Sequence, residues 1–486
     1  MMYRMMIVVA GVGMSLLTRT APAREAALKA QVTEAMRRAT QFFRTEVSTE
    51  GGYLWRYSED LTRREGESKA TDTMVWVQPP GTPSVGMVYL TAYEATGDSY
   101  YLDAAKDAAY ALVRGQLRSG GWDYRIEFDP ARRSRYAYRV EPQKENARNI
   151  STLDDNNTQS AIRLLMRVDR ALDFKDRKIH EAVEFALNAL LDVQYPNGAW
   201  PQRFSAAPDP ARFPVKPVSS EVERKASYPD SWPRTFPDRD YKSFYTFNDG
   251  SISDAIETML EAFDIYGDER YRAAAEKAGD FIILAQMPEP QPAWAQQYDV
   301  DMHPVWARKF EPPAITGGES QGIMRTLLTL YRATGKDKFL EPLPRAIAYF
   351  RRSRLPDGRL ARFYELKTNK PLYFTREDYQ LTYSDADMPT HYGFKSGYAI
   401  EAIAREYERL RDTPRGEGVL RNEGVPPLNL TNRVKSIIAR LDEKGRWVEP
   451  GQLRRADEGN TVTRVITTRT FINNIRTLSN YLANSH

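Results

Sequence analysis

The stretch LTAYEATGDSYYLDAAKDAAYALVRGQLRSGGWDY (Leu90–Tyr124) decides the fold, because its pattern returns three times along the chain. The returns are Leu164–Gln202, Met259–Gln297 and Leu327–Leu360. Each reads as helix, short turn, helix, then a loop that often carries Gly or Trp. Gly97, Gly267 and Gly335 suit the left-handed position that ends a helix. Asp98, Asp268 and Asp337 then cap the following helix through its free amides. Apolar residues follow at three- and four-residue spacing, as in Ala104, Ala108, Ala111 and Leu112. Tandem hairpins of about 35–40 residues bury a shared face by stacking. With polar, aromatic loops gathered at one end, the reading is all-α: an (α/α) toroid of helical hairpins whose long irregular loops form a cleft. Strand signals are confined to short runs at Arg362–Leu366 and Pro371–Thr375.

The flanks divide the chain further. Arg4, the apolar run Met5–Leu17 and Ala21-Pro22-Ala23 read as a signal peptide, residues 1–23. The run is too short to span a bilayer comfortably. Residues 24–410 are then the toroid, and 411–486 a linker and C-terminal helical extension packed on it, with helices at Asn432–Leu441 and Arg469–Leu482. A Pro-rich interruption, Ser205–Arg239, contains seven prolines and is not helix; it reads as a cleft wall.

Composition narrows the function. The 486 residues are 41% hydrophobic and 28% charged, which suits a soluble globular protein. There are 69 Lys and Arg against 65 Asp and Glu. Loss of Arg4 and Arg19 with the leader brings the balance to +2, which argues against nucleic acid as a partner. The chain has no cysteine, so thiol nucleophiles and cysteine zinc sites are excluded. The four histidines, His180, His303, His391 and His486, leave little room for a histidine-rich metal site. Export without cysteine suits a secreted or periplasmic bacterial protein, here expected to be monomeric and free of the membrane after leader cleavage.

Four clusters carry candidate chemistry. STLDDNNTQS (Ser151–Ser160) and TFNDGS (Thr246–Ser251) put acids and amides directly before helices. They read either as N-caps or as oxygen ligands of the kind calcium takes. WARKFEPPAITGGES (Trp306–Ser320) holds Arg308 in an extended, proline-flanked segment. RLARFYELKTNKPLYFTRED (Arg359–Asp378) places Arg362 and Arg376 around a short hairpin, where guanidinium forks suit carboxylates. Trp200, Trp294 and Trp306 in nearby loops suit the faces of sugar rings, and Gln297 suits their hydroxyls.

The order STLDDNNTQ, LDVQYPNGAWPQRF, YTFNDGS, PAWAQQYD, ARKFEPPAITGGES, ARFYEL resembles the pectate lyases of polysaccharide lyase family ten, from about Asn149 to Glu377. The resemblance implies an (α/α) toroid and calcium-dependent β-elimination on de-esterified polygalacturonate. It implies Asp154, Asp155 and Asp249 as calcium ligands, Arg308 as the base, and Arg362 and Arg376 as grips on substrate carboxylates. The first motif more usually reads Asp-Asn, where this chain has Asp155. It also implies that calcium and neighbouring arginines depress the Arg308 pKa. Two other readings stand beside it: a glycoside hydrolase on the same toroid with Asp155 and Asp249 as paired acids, and a non-catalytic pectin-binding protein.

Overall fold

Gly97, Gly267 and Gly335 all adopt left-handed backbone, with φ of 69°, 72° and 67°. Each ends a helix: α2 (Thr82–Thr96), α7 (Ser251–Tyr266) and α9 (Gly317–Thr334). These details come from a computed structural model that describes residues 21–209, 211–213, 225–238, 240–413, 429–455 and 461–484. The remaining helices are α1 (Ala21–Phe42), α3 (Ser99–Gly115), the single turn α4 (Pro130–Arg133), α5 (Asn157–Ala171), α6 (Arg177–Asp192), α8 (Glu269–Leu284), α10 (Leu343–Arg352), α11 (Ile400–Asp412), α12 (Leu430–Ala439) and α13 (Thr468–Ala483). Asp98 and Asp268 accept from the amides of Tyr100 and Arg270, so two caps form as expected. Asp337 does not cap α10. It opens a separate 3-10 turn, Asp337–Phe339, and α10 starts only after Pro342.

The helices form two layers of an (α/α) toroid. Helices α13, α2, α5, α7, α9 and α11 neighbour one another in that order and make the inner layer. Outside them, α3 packs on α2 and α5, α6 on α5, α8 on α7 and α9, α10 on α11, and α12 on α13 and α1. The inner faces are apolar and buried: Ile162, Leu165, Ile256, Met259, Leu327 and Ile475 are all at or below 2% exposed. The segment expected as an extension supplies α12 and α13, which stand within these layers. Most of its linker, 414–428, lies outside the described residues.

A tryptophan recurs just after four of the outer helices. The indole N–H groups of Trp122, Trp200, Trp294 and Trp447 donate to the carbonyls of Leu112, Leu190, Ile282 and Ile437. Those carbonyls lie in the last turns of α3, α6, α8 and α12, where a helix leaves its carbonyls unpaired. At the end of α10, Tyr364 does the same for Ser353.

Short antiparallel pairs link the hairpins at one rim. Met74–Trp76 pairs with Arg125–Glu127, Ser151–Thr152 with Arg203–Phe204, and Tyr245–Thr246 with Gln297–Tyr298. Ala314–Thr316, Phe363–Glu365, Pro371–Phe374 and Leu381–Thr382 form a four-stranded sheet that includes the expected hairpin. Within the Pro-rich segment, Trp232 and Phe236 pack against the side of this sheet, whereas Phe213 packs on Tyr195 and Tyr245. Pro233 accepts from the Trp306 indole, and Arg234 pairs with Glu365. The N-termini of α2, α5, α7 and α9 follow these strands, so their positive dipole ends face the same rim.

Candidate functional site

The two acidic helix starts are built alike. Thr152 Oγ1 accepts from the Asp154 amide at 3.1 Å, and Thr246 Oγ1 accepts from the Asn248 amide at 3.0 Å. The chain then turns left-handed at Asp155 (φ 52°) and Asn156 (φ 57°), and at Asp249 (φ 47°) and Gly250 (φ 73°). Asp and Asn tolerate that conformation better than most residues. It swings the acids away from the helix amides. Asn156 and Gly250 occupy the cap positions, and neither supplies a side-chain cap bond. Gln159 Nε2 donates to both Leu153 O (2.8 Å) and Ser251 O (3.2 Å), tying one start to the other.

Asp154, Asp155 and Asp249 therefore converge, with one carboxylate oxygen of each lying within 4.8 Å of the others. Burial, reinforced by the charges of Asp154, Asp249 and Glu67, pushes the Asp155 carboxyl up to about 7 against the pull of Arg308. Asp249 is the most open of the three. Its desolvation and the charge of Asp154 raise it to about 6, again against Arg308. Asp154 Oδ2 accepts from the Tyr124 hydroxyl at 2.7 Å, and Asp155 Oδ2 from Gln78 Nε2 at 2.9 Å. Asp154 Oδ1 and Asn248 Oδ1 are buried without a partner. Crowded carboxylates with unpaired buried oxygens fit a hard cation of calcium's kind, which takes oxygen ligands only.

Guanidinium groups stand beside the acids. Arg308 Nη2 donates to Glu311 Oε1 at 2.5 Å and lies 3.9 Å from Asp249 Oδ2. Glu311 is buried and also accepts from the Tyr392 hydroxyl. Burial alone would lower the Arg308 pKa, but the hydrogen bond and charge of Glu311 outweigh it and hold the guanidinium above its ordinary value. The expected depression is tied to calcium as well as to neighbouring arginines; without the metal, Glu311 sets the direction. Arg362 pairs with the buried Glu319 at 2.6 Å and lies 4.1 Å from the Tyr392 ring centroid. Arg203 reaches the Tyr124 hydroxyl at 3.3 Å. The Nε groups of Arg203, Arg308 and Arg362 and Glu319 Oε2 are buried and unpartnered, so the rim holds several unused polar atoms of both signs.

Five expected residues do not join this group as substrate contacts. Trp200 and Trp294 are fully buried and Trp306 is 2% exposed, so none offers a ring face to a sugar. Their indoles close helix ends or, for Trp306, bond the Pro233 carbonyl. Gln297 is 2% exposed and donates to the Val305 carbonyl. Arg376 lies on the surface, 3.4 Å from Asp387. The aromatic surface beside Arg308 consists instead of Phe310, Tyr379, His391 and Tyr392, whose neighbouring rings lie 4.8–6.3 Å apart. Sequence reasoning passed over Gln78, Tyr124, Arg203, Glu319 and Tyr392. It did have a signal against Trp200 and Trp294, because a Trp at the same place in successive hairpins marks a structural part.

Comparison with known proteins places this rim in context. A family model described as pectic acid lyase matches residues 128–211 and 224–361, which include all three acids and Arg308. No curated protein matches the chain in sequence. Among solved structures, a family 10 polysaccharide lyase from Cellvibrio cellulosa, a mutant in complex with trigalacturonic acid, is 20% identical. That comparison covers 68% of this chain and 97% of the other, with a TM-score of 0.45. A D-mannose isomerase is 13% identical over 96% of this chain and 99% of its own, with a TM-score of 0.42. An α-mannanase from Bacteroides thetaiotaomicron is 11% identical over 95% and 98%, with a TM-score of 0.41.

Proposed function

We propose that this chain, an enzyme of the polysaccharide lyase class carrying a pectic acid lyase core, cleaves de-esterified polygalacturonate or a related polyuronate by calcium-assisted β-elimination. The observation that carries the reading is the convergence of Asp154, Asp155 and Asp249 beside Arg308. Those three carboxylates would hold calcium, which supplies positive charge where the substrate carboxylate gains negative charge.

The chain's own groups act around the C5–H bond of a uronate. Arg362, at the rim, would pair with the substrate carboxylate. Arg308 would take the C5 proton at Nη1, the terminal nitrogen not committed to Glu311. The C–H electron pair becomes the C4–C5 double bond, the C4–O bond breaks, and water protonates the leaving oxygen. Arg308 must first give up a proton, and Glu311 opposes that, so the reaction is expected to favour alkaline pH. Preorganised charge stabilises the enolate-like transition state.

The acid oxygens lie closer together than the about 6.5–9.5 Å that an inverting hydrolase needs for its water, which disfavours an inverting hydrolase. The test assays a panel of polyuronates for ultraviolet absorbance with EGTA and after calcium return. Absorbing product, lost in chelator and restored by calcium, is expected on polygalacturonate. Reducing ends without absorbance would overturn β-elimination, and full activity in EGTA would remove the metal.

Residues 1–20, most of the expected leader, lie outside the described residues. No described helix is long and apolar enough to cross a membrane. We place the protein outside the cytoplasm, beginning near Arg24. N-terminal sequencing of exported protein that found Met1 would refute cleavage.

A further inference from the structure

Beside the acid cluster lies a cavity of about 540 Å³, within the size range of small-molecule sites. Three arginines line it: Arg125, Arg148 and Arg455. Two are already engaged. Arg148 Nε donates to the buried Asp123 at 2.5 Å. Arg455 donates its backbone amide to Glu65 and its Nε to the Glu67 carbonyl. Among the described residues Arg125 has no carboxylate partner, and its guanidinium stands 5.9 Å from the Trp76 ring centroid. Glu67 is the remaining acid in the lining, so the cations exceed the acids there.

The cavity shares its wall with the catalytic rim. Tyr124, which lines it, donates to Asp154. Trp76, which also lines it, donates to Gln78 Oε1, and Gln78 Nε2 donates to Asp155. Partly exposed Tyr136 adds an aromatic surface. Trp76, Arg125 and Arg455 all lie outside residues 128–361, so this surface comes largely from parts of the chain the family match does not reach.

We propose that this cavity is an additional subsite, in which Arg125 grips the carboxylate of a uronate residue beyond the pair flanking the scissile bond. The proposal rests on the polyuronate reading above. A polyuronate carries one carboxylate per sugar, so a chain lying along the rim brings a fresh anion to each successive subsite. Arg125, on the strand Arg125–Glu127 one residue after Tyr124, is held at a set distance from the acids by the pairing with Met74–Trp76.

The test compares wild type with Arg125→Gln on long polygalacturonate and on the shortest oligogalacturonate that wild type cleaves. It also measures binding of an oligogalacturonate by calorimetry in EGTA. Arg125→Gln is expected to raise KM on the polymer about tenfold, the worth of one charge-assisted contact, with kcat within about twofold. The penalty on the short substrate should be clearly smaller, and Arg125→Lys should recover part of the loss. Calorimetry should show the same weakening, with thermal stability unchanged. Equal KM and equal affinity for wild type and Arg125→Gln would overturn the subsite. If wild type yields no ultraviolet-absorbing product on any polyuronate, the lyase reading fails separately. Calorimetry then still decides the cavity, since an anionic oligosaccharide that binds wild type and Arg125→Gln alike excludes it.

Discussion

Arg308, partly exposed, and the buried Glu311, three residues apart, form an ion pair with Nη2 and Oε1 2.5 Å apart, and the Arg308 backbone amide donates to the other Glu311 oxygen at 3.1 Å. Glu311 thus both aims the guanidinium at the acid cluster and holds its proton in place.

Removing Glu311's charge separates two roles for Arg308. Arg308→Ala should lower kcat about 10²–10⁴-fold, the usual worth of a positioned base. Arg308→Lys should not rescue it, because reach and fork geometry both change. Glu311→Gln removes the partner that raises the Arg308 pKa, so the rising limb of the pH–rate profile should move to lower pH. A profile that stays in place while kcat falls would show that Arg308 acts as a fixed cation.

Calcium binding should be in competition with protons. Asp155 at about 7 and Asp249 at about 6 must both be ionised to serve as ligands. Affinity measured by titration calorimetry is expected to fall about tenfold per pH unit below about 7, and more steeply below about 6. An affinity constant between pH 8 and 5 would mean that other groups bind the ion.

The same acids make the metal-free protein sensitive to alkali. Asp155 is raised above its unfolded value, as is Asp254, where burial and Glu257 push the carboxyl up to about 7 against Arg163. A raised acid contributes stability that is full below its unfolded pKa and lost as pH rises through the folded one. Tm in EGTA should therefore decline between about pH 5 and 8. Calcium should restore it at the alkaline end, where the Asp154–Asp155–Asp249 cluster is ionised. A metal-free Tm that rises over this range would contradict the burial of these carboxyls.

Trp200 and Trp294 are expected to behave as core residues. Trp200→Ala should destabilise the fold by about 3–5 kcal/mol, as large aromatic truncations do. Trp200→Phe should keep much of the packing and lose the bond to the Leu190 carbonyl. KM of the folded Trp200→Phe protein should match wild type. A raised KM at unchanged stability would return the indole to the substrate surface.

Arg362 and Arg376 should differ sharply. Arg362 lies at the rim on Glu319, whereas Arg376 pairs with Asp387 at the surface. Arg362→Ala is expected to raise KM about tenfold or more and to lower Tm, because Glu319 is left buried without its cation. Arg376→Ala should change KM by less than about threefold. Equal effects in steady-state kinetics would bring Arg376 back to the substrate path.

Sequence by itself determined what depends on near neighbours. Helix spacing, left-handed glycines and the Asp98 and Asp268 caps act within a few residues, so the hairpins and the toroid were legible, as were the two acidic helix starts and Arg308. The short hairpin around Phe363–Glu365 was legible for the same reason. Only the tertiary structure decided what depends on distant groups. It turned the tryptophans inward, because the carbonyls they satisfy lie 10 or 12 residues back, in the last turn of the preceding outer helix. It drew Asp249 to Asp154 and Asp155 through Gln159, and brought Gln78, Tyr124 and Glu319 to the same rim. It placed α13 against α2, although hundreds of residues separate them. Such convergence comes from hairpins stacking around a shared core. The burial and charge that set each carboxyl's proton affinity arise only once that stack exists.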